Sequence, residues 1–136
     1  MKKQELKVIY EILSSAKITK MEDSDKFKVI KIMRELKPIY KEVEEAITVA
    51  EEKLKVEGQD EMAEKARLNL LEPEEILSVN ETFIKFRKDV QTSVKEIAEA
   101  EVTLKEYINN AAFEKLLASN DFNLATIMFL EEAIVK

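Results

Sequence analysis

A row of apolar residues at alternating spacings of four and three constrains the fold of this chain more than any other feature of its sequence. The row consists of Val29, Met33, Leu36, Tyr40, Val43, Ile47, Ala50 and Leu54. A period of 3.5 residues keeps such a row on one side of an α-helix, and it is typical of helices that wind around each other with a left hand. We call these residues the seam. It predicts a helix over residues 25–56 that packs lengthwise against other helices.

Two residues bear on the length of this helix. Pro38 lies inside it, where the proline ring removes the hydrogen bond to the Arg34 carbonyl and crowds that turn. The seam nevertheless passes Pro38 without a change of phase, so we favour one kinked helix over two separate ones. Gly58 is the only glycine of the chain, and it is well placed to end the helix in a left-handed conformation.

Apolar periodicity and cap residues predict further helices on either side of the seam. Their expected ranges are 3–15, 60–71, 80–100, 104–118 and 124–135. Asn80 is the expected cap of the second long helix, which should lie antiparallel to the first. The segment Thr103-Leu104-Lys105-Glu106 has the form of a capping box and predicts a helix start near residue 104, while a short strand over 102–108 is the alternative.

The expected architecture is therefore all-α: a long antiparallel, coiled-coil-like helical hairpin with shorter flanking helices, in a single domain of residues 1–136. Composition agrees, because one Gly and two Pro in 136 residues are too few for the frequent turns of a sheet protein. The chain also has no Cys and no His. Disulfides, thiolate nucleophiles, zinc–thiolate sites and histidine general bases are thereby excluded.

Charge is distributed unevenly along the chain. Residues 1–41 contain 11 Lys and Arg against 6 Asp and Glu, whereas residues 42–136 contain 11 against 22. The basic residues in the first half of the seam helix are Lys26, Lys28, Lys31, Arg34, Lys37 and Lys41. They suit either a phosphate-contacting stripe or, as we favour, a solvated flank that pairs with acidic groups of a partner helix. Few aromatic residues lie among them, which argues against nucleic acid.

Paired carboxylates are the remaining side chains that could form a catalytic site. Glu42 with Glu45, and Glu57 with Asp60, stand three residues apart, and two such pairs on neighbouring helices could bind Mg²⁺ through oxygen ligands. The pattern resembles the ExxE and ExxD signature of all-helical nucleoside triphosphate pyrophosphohydrolases. This resemblance implies Mg²⁺-dependent hydrolysis of nucleotides as the alternative function. Gly58 interrupts the second pair, and equivalent spacings recur by chance in so acidic a chain. We therefore expect solvated helix faces here, with no metal and no cofactor.

No segment indicates export or membrane insertion. Lys7, Glu11 and Lys17 interrupt the apolar core that a signal peptide would need, and the longest apolar run, near Leu124–Leu130, falls short of the roughly 20 residues that cross a bilayer. We expect a cytoplasmic protein.

Two stretches of the chain resemble a known class of proteins. The opening stretch reads KKQELKVIYEILSSAKITKMEDSDKFKVIKIMRELKPIYKEVEEAITVAEEKL, and the closing one reads FEKLLASNDFNLATIMFLEEAIVK. Their layout, a short helix, a connector, a very long Lys/Glu helix and an apolar final helix, resembles small uncharacterised proteins of bacteriophages and prophages. The resemblance implies a role in protein binding or assembly. We thus expect a non-enzymatic protein that self-associates or docks onto a helical partner through the seam and its flanks.

Overall fold

The structure is a computed structural model that describes residues 1–136, and it is all-α. Its helices are α1 (Lys3–Ser15), α2 (Asp23–Leu54), α3 (Gln59–Arg67), α4 (Pro73–Ala98), α5 (Asn110–Ser119) and α6 (Leu124–Ile134). The long helix α2 packs with α1 and with α4, which confirms the all-α, hairpin-like layout. The chain forms two compact units, Met1–Val43 with Ile97–Lys136 and Glu44–Glu96, which we call the first and second units.

The first unit is built around a well-filled apolar core. Its most deeply buried side chains are large and aliphatic, and they come from α1, α2, α5, α6 and the segment before α5: Leu6, Ile9, Ile32, Leu36, Ile108, Leu116, Leu130 and Ile134. Each buried Leu or Ile stabilises the fold by roughly 1.5–3 kcal/mol relative to an exposed one. This core therefore fixes the positions of α1 and the first part of α2.

Main-chain hydrogen bonds tie the irregular segment 99–109 to the rest of the first unit. The Lys3 N–H donates to the Ala100 carbonyl at 2.9 Å, and the Val102 N–H donates to the Met1 carbonyl at 2.9 Å. Farther along, Ile108 N–H donates to the Ile134 carbonyl at 2.8 Å. These bonds form two isolated bridges, one antiparallel and one parallel, so this segment is held without a strand of its own.

The seam lies on one continuous helix, as expected, because α2 runs unbroken through Pro38. Every second seam residue is buried: Val29, Leu36, Val43 and Ala50, at seven-residue intervals, are at most 5% exposed. The intervening ones, Met33, Tyr40, Ile47 and Leu54, are partly buried. A heptad interval returns to nearly the same side of a straight helix, which explains why this subset faces inward throughout.

The predicted helix start near residue 104 is wrong, and so is the alternative strand. A carboxylate from α2 occupies the site instead: Glu35 accepts the backbone N–H groups of Lys105 at 2.9 Å and Glu106 at 2.8 Å. The Glu106 N–H is the donor that the Thr103 capping box would have used. Helix α5 begins only at Asn110, where the Asn109 side chain accepts the Ala112 N–H at 2.8 Å.

The helix predicted from Asn80 begins seven residues earlier, at Pro73, so the cap prediction for Asn80 is wrong. Proline suits the first helical position because it lacks an N–H that would be unpaired there anyway. Glu74 and Glu75 follow in the first turn, where negative charge interacts favourably with the helix dipole. The helix therefore starts at the proline and acidic residues that favour a helix N-terminus, and it passes through Asn80.

Two left-handed residues shape the second unit. Gly58 has φ 77° and lies four residues after α2, so the helix ends slightly before the glycine that we expected to end it. Asn69 has φ 60°, and the Leu70 N–H donates to the Lys65 carbonyl at 2.8 Å. This pattern is a Schellman motif. It ends α3 at Arg67 and not at residue 71, since Asn is one of the few residues that tolerate this conformation.

No side chain larger than Val or Gln is fully buried in the second unit. Its buried residues are Ala50, Gln59, Val79, Val90 and Val94. The Gln59 side chain accepts the Val56 N–H at 3.2 Å. No helix of the chain is both long enough and apolar enough to cross a membrane.

Candidate interaction surfaces

One side of α2 in the first unit is both basic and apolar. Ile30, Arg34, Lys37 and Lys41 stand at intervals of four, three and four residues, so they lie along one face of the helix. All four are exposed, Ile30 to 42%. None of the three basic residues takes part in a salt bridge of the chain. We call these four residues the cationic stripe.

An apolar groove of about 280 Å³ runs beside the cationic stripe. It lies between α1, the connector that follows α1, and α2. Its lining is mainly apolar: Tyr10, Leu13, Ala16, Ile18, Val29, Ile30 and Met33, with Arg34 and Lys37 completing it. The Tyr10 ring stacks on the Tyr40 ring with centroids 4.6 Å apart. The groove thus combines an apolar lining with two cations, a combination that suits an amphipathic ligand carrying negative charge.

The remaining basic residues of α2 have other surroundings. Lys26 lies 3.8 Å from the Asp23 carboxylate, and the Lys31 ammonium lies 5.0 Å from the centre of the Phe27 ring. The six basic residues therefore do not act as one surface. Arg34, Lys37 and Lys41 share a face with the exposed Ile30. Lys26, four residues before Ile30, also lies on that side of the helix, but its ammonium is near the Asp23 carboxylate.

The four carboxylates that could have formed a magnesium site have separate environments. Both oxygens of Glu42 accept hydrogen bonds from the Lys3 ammonium at 2.9 Å, and Asp60 forms a 2.6 Å salt bridge with Lys55. Glu45 and Glu57 are exposed. No group of three or more carboxylates in the chain is arranged to hold a metal ion. The structure therefore does not bring these four residues together.

A second surface, acidic and apolar, lies on α4 in the second unit. Glu74, Leu77, Glu81 and Ile84 stand at intervals of three, four and three residues and so share a face of the helix. Leu77 is 69% exposed and Ile84 is 63% exposed. No basic residue occurs in the sequence between Arg67 and Lys85. We call these four residues the acidic stripe.

The second unit also exposes most of its large aliphatic side chains. The exposed set is Val49, Val56, Leu68, Leu70, Ile76, Leu77 and Ile84. Isolated apolar residues on a surface are ordinary, but no Leu, Ile or Phe of this unit is fully buried. The sequence contains a signal of this face in the seven-residue spacing of Leu77 and Ile84. A helix that begins at Asn80 leaves Leu77 outside it and therefore does not reveal this face.

One exposed ion pair joins elements of the first unit. The Lys115 ammonium donates to Glu22 at 2.7 Å. This hydrogen bond, with the attraction between the charges, lowers the pKa of the Glu22 carboxyl and raises the pKa of Lys115. The pair anchors α5 to the connector before α2.

Comparison with known proteins gives no relative from which a site could be transferred. The sequence matches no protein-family model, and neither the curated proteins nor the solved structures include one that is similar to it.

Proposed function

We propose that this chain is a non-enzymatic helical protein that works by binding other protein chains in an assembly, within the cytoplasm. One observation carries the proposal: the second unit exposes Leu68, Leu70, Ile76, Leu77 and Ile84, while none of its fully buried side chains is larger than Val or Gln. Burial of apolar area is the main stabilising term in folding and in association. A unit arranged in this way can still gain much of this stabilisation by burying its exposed apolar area against a partner.

The burial of the seam supports a proposal about which surface a partner would use. Val29, Leu36, Val43 and Ala50 already pack inside the chain, so a partner cannot reach them without unfolding α2. The flanks of the seam, and the outer face of α4, remain exposed. We therefore propose that a partner binds these flanks and α4, and that the seam packs inside the chain and supports α2.

The resemblance of the sequence to small bacteriophage and prophage proteins supports the same kind of role. In that setting a small helical protein would hold other chains together and would need no catalytic groups. We include this origin in the proposal.

The test replaces exposed apolar residues of the second unit with charged ones. The triple variant Leu70→Asp, Leu77→Asp, Ile84→Asp is compared with Leu124→Asp, Met128→Asp, whose positions on α6 are 72% and 62% exposed. Both variants should keep their helical circular dichroism, because all five positions are on the surface. Affinity purification from the native host, with quantitative mass spectrometry, and sedimentation velocity then measure association.

We expect the triple variant to lose most co-purifying protein, or most self-association, and the α6 variant to keep it. An unchanged set of bound chains and an unchanged sedimentation profile in the triple variant would refute the proposal.

A further inference from the structure

The cationic stripe and the acidic stripe complement each other in three respects: both lie on helices, both have two charges seven residues apart, and these charges are of opposite sign. Arg34 and Lys41 are seven residues apart, and so are Glu74 and Glu81. At 1.5 Å per residue, each pair therefore spans about 10.5 Å along its helix. The two stripes carry opposite charges at the same spacing, so two helices laid side by side can pair both charges at once.

Each stripe also provides exposed apolar surface next to its charges. Ile30 stands four residues before Arg34 and is 42% exposed, while Ile84 stands three residues after Glu81 and is 63% exposed. An antiparallel arrangement places Glu81 beside Arg34 and Glu74 beside Lys41. Ile84 then lies against Ile30. A parallel arrangement would place Ile84 beyond the cationic stripe, so burial of apolar surface selects the antiparallel one.

We propose that the cationic stripe of one copy of this chain binds the acidic stripe of a second copy, with the two helices antiparallel. This inference rests on the proposed function and specifies its partner: another molecule of the same protein. Leu77, the more exposed of the two apolar residues of the acidic stripe, then lies opposite Lys37, at the edge of the apolar groove. The contact brings together one charge pair at each end and apolar groups between and beside them.

The charges of both stripes are free for such a contact. The only acidic residue among residues 26–41 is Glu35, and its carboxylate is already bound to the backbone of Lys105 and Glu106. Glu74 and Glu81 take part in no salt bridge of the chain. Pairing between copies therefore displaces no existing interaction. Because both stripes are exposed to solvent, the association should weaken as salt screens the charges.

Charge reversal followed by mixing tests the proposal directly. One variant carries Arg34→Glu, Lys41→Glu, and the other carries Glu74→Lys, Glu81→Lys. In sedimentation velocity at low ionic strength, the unaltered chain should self-associate, and each variant alone should do so at least about tenfold more weakly because like charges now meet. An equimolar mixture should regain association, since every altered stripe finds an opposite stripe on the other variant. Variants that associate as the unaltered chain does, or a mixture that stays monomeric, would overturn the proposal.

Engineered cysteines test the register, because the chain has no cysteine of its own. A disulfide needs Cα atoms within about 7 Å. Mild oxidation of Ile30→Cys mixed with Ile84→Cys should give a covalent heterodimer in high yield. Val49→Cys, at a position that is 62% exposed and outside both stripes, replaces Ile84→Cys as the control and should give little. Equal yields would reject the proposed register.

The outcomes separate this inference from the proposed function. A chain that stays monomeric at low ionic strength, but whose bound host proteins are lost in the triple variant of Leu70, Leu77 and Ile84, refutes the second copy as partner and leaves the interaction role intact. If that variant changes nothing in either measurement, both are refuted.

Discussion

The side-chain amide of Asn120 forms two hydrogen bonds with the backbone of Lys17. The Lys17 N–H donates to Asn120 Oδ1 at 2.8 Å, and Asn120 Nδ2 donates to the Lys17 carbonyl at 2.7 Å. A second bond from Nδ2 reaches the Leu116 carbonyl at 2.9 Å. One side chain at the end of α5 thereby fixes the connector that lines the apolar groove.

Replacing Asn120 should therefore loosen this connector. We expect Asn120→Ala to lower the free energy of unfolding by about 2 kcal/mol, since three hydrogen bonds are lost and water can replace part of them. Asn120→Asp should cost more at neutral pH, because a carboxylate would face two carbonyl oxygens. Urea denaturation measures both. Asn80→Ala, on the exposed side of α4, serves as control, and an Asp variant as stable as the unaltered chain would contradict the geometry.

Glu35 provides the second prediction. Its carboxylate accepts two backbone N–H groups of the segment before α5, and hydrogen bonds to a charged acceptor are the stronger ones. We expect Glu35→Ala to cost about 2 kcal/mol, and Glu35→Gln about half of that because one acceptor oxygen remains. Glu45→Ala, an exposed change on the same helix, should stay within about 0.5 kcal/mol. Equal effects at positions 35 and 45, measured by thermal unfolding, would rule out the anchoring role.

Two valines of α2 offer a matched test of the packing. Val43 is 1% exposed and Val49 is 62% exposed, so the same change to Ala differs only in burial. Val43→Ala should destabilise the chain by about 2 kcal/mol, and Val49→Ala should be neutral within about 0.5 kcal/mol. Chemical denaturation with both variants in one experiment gives the difference. Similar values for the two would show that Val43 does not face a packed interior.

Pro38 is an exposed residue inside a continuous helix. Pro38→Ala restores the N–H that can bond to the Arg34 carbonyl and removes the crowding of the ring, so we expect a gain of about 1–3 kcal/mol in stability. The melting temperature measured by circular dichroism should rise. Thr48→Ala, farther along the same helix, controls for the helix propensity of Ala and should change stability by only a few tenths of a kcal/mol. A lower melting temperature for Pro38→Ala would mean that the helix requires a bend at this point.

The pair of Glu22 and Lys115 predicts how stability depends on pH. The pKa of Glu22 is lowered in the folded chain, so its contribution is present above the unfolded pKa and is lost as pH falls through the folded pKa. The pKa of Lys115 is raised, so its contribution is present below the unfolded pKa and is lost as pH rises through the folded one. Lys115→Met should raise the pKa of Glu22 toward its ordinary value. A carbon-detected NMR titration of the Glu22 carboxyl measures this shift, and an unmoved pKa would exclude the pairing in solution.

The seam could be predicted from the sequence because helical periodicity is a local property. Val29 to Leu54 keep the same phase in any environment that buries one side of the helix. The start of α5 could not, because the N–H of Glu106 has two competing acceptors. One is the nearby Thr103 oxygen, and the other is the Glu35 carboxylate, 71 residues away in the chain. Only the tertiary fold decides between them.

The candidate surfaces could also be predicted only in part. Arg34, Lys37 and Lys41 were recognised from the sequence as basic residues of one helix. The apolar groove beside them needs Ile18, whose position depends on the connector and on Asn120. The exposed stripe of α4 depends on a helix that begins at Pro73, so a helix begun at Asn80 conceals it.

The first unit is made from the two ends of the chain, residues 1–43 and 97–136. During synthesis, Leu6 and Leu36 leave the ribosome long before Leu116 and Leu130, which complete their surroundings. At about 5–20 residues per second this delay lasts several seconds. For that time the N-terminal helices lack the residues that bury their apolar side chains in the folded unit.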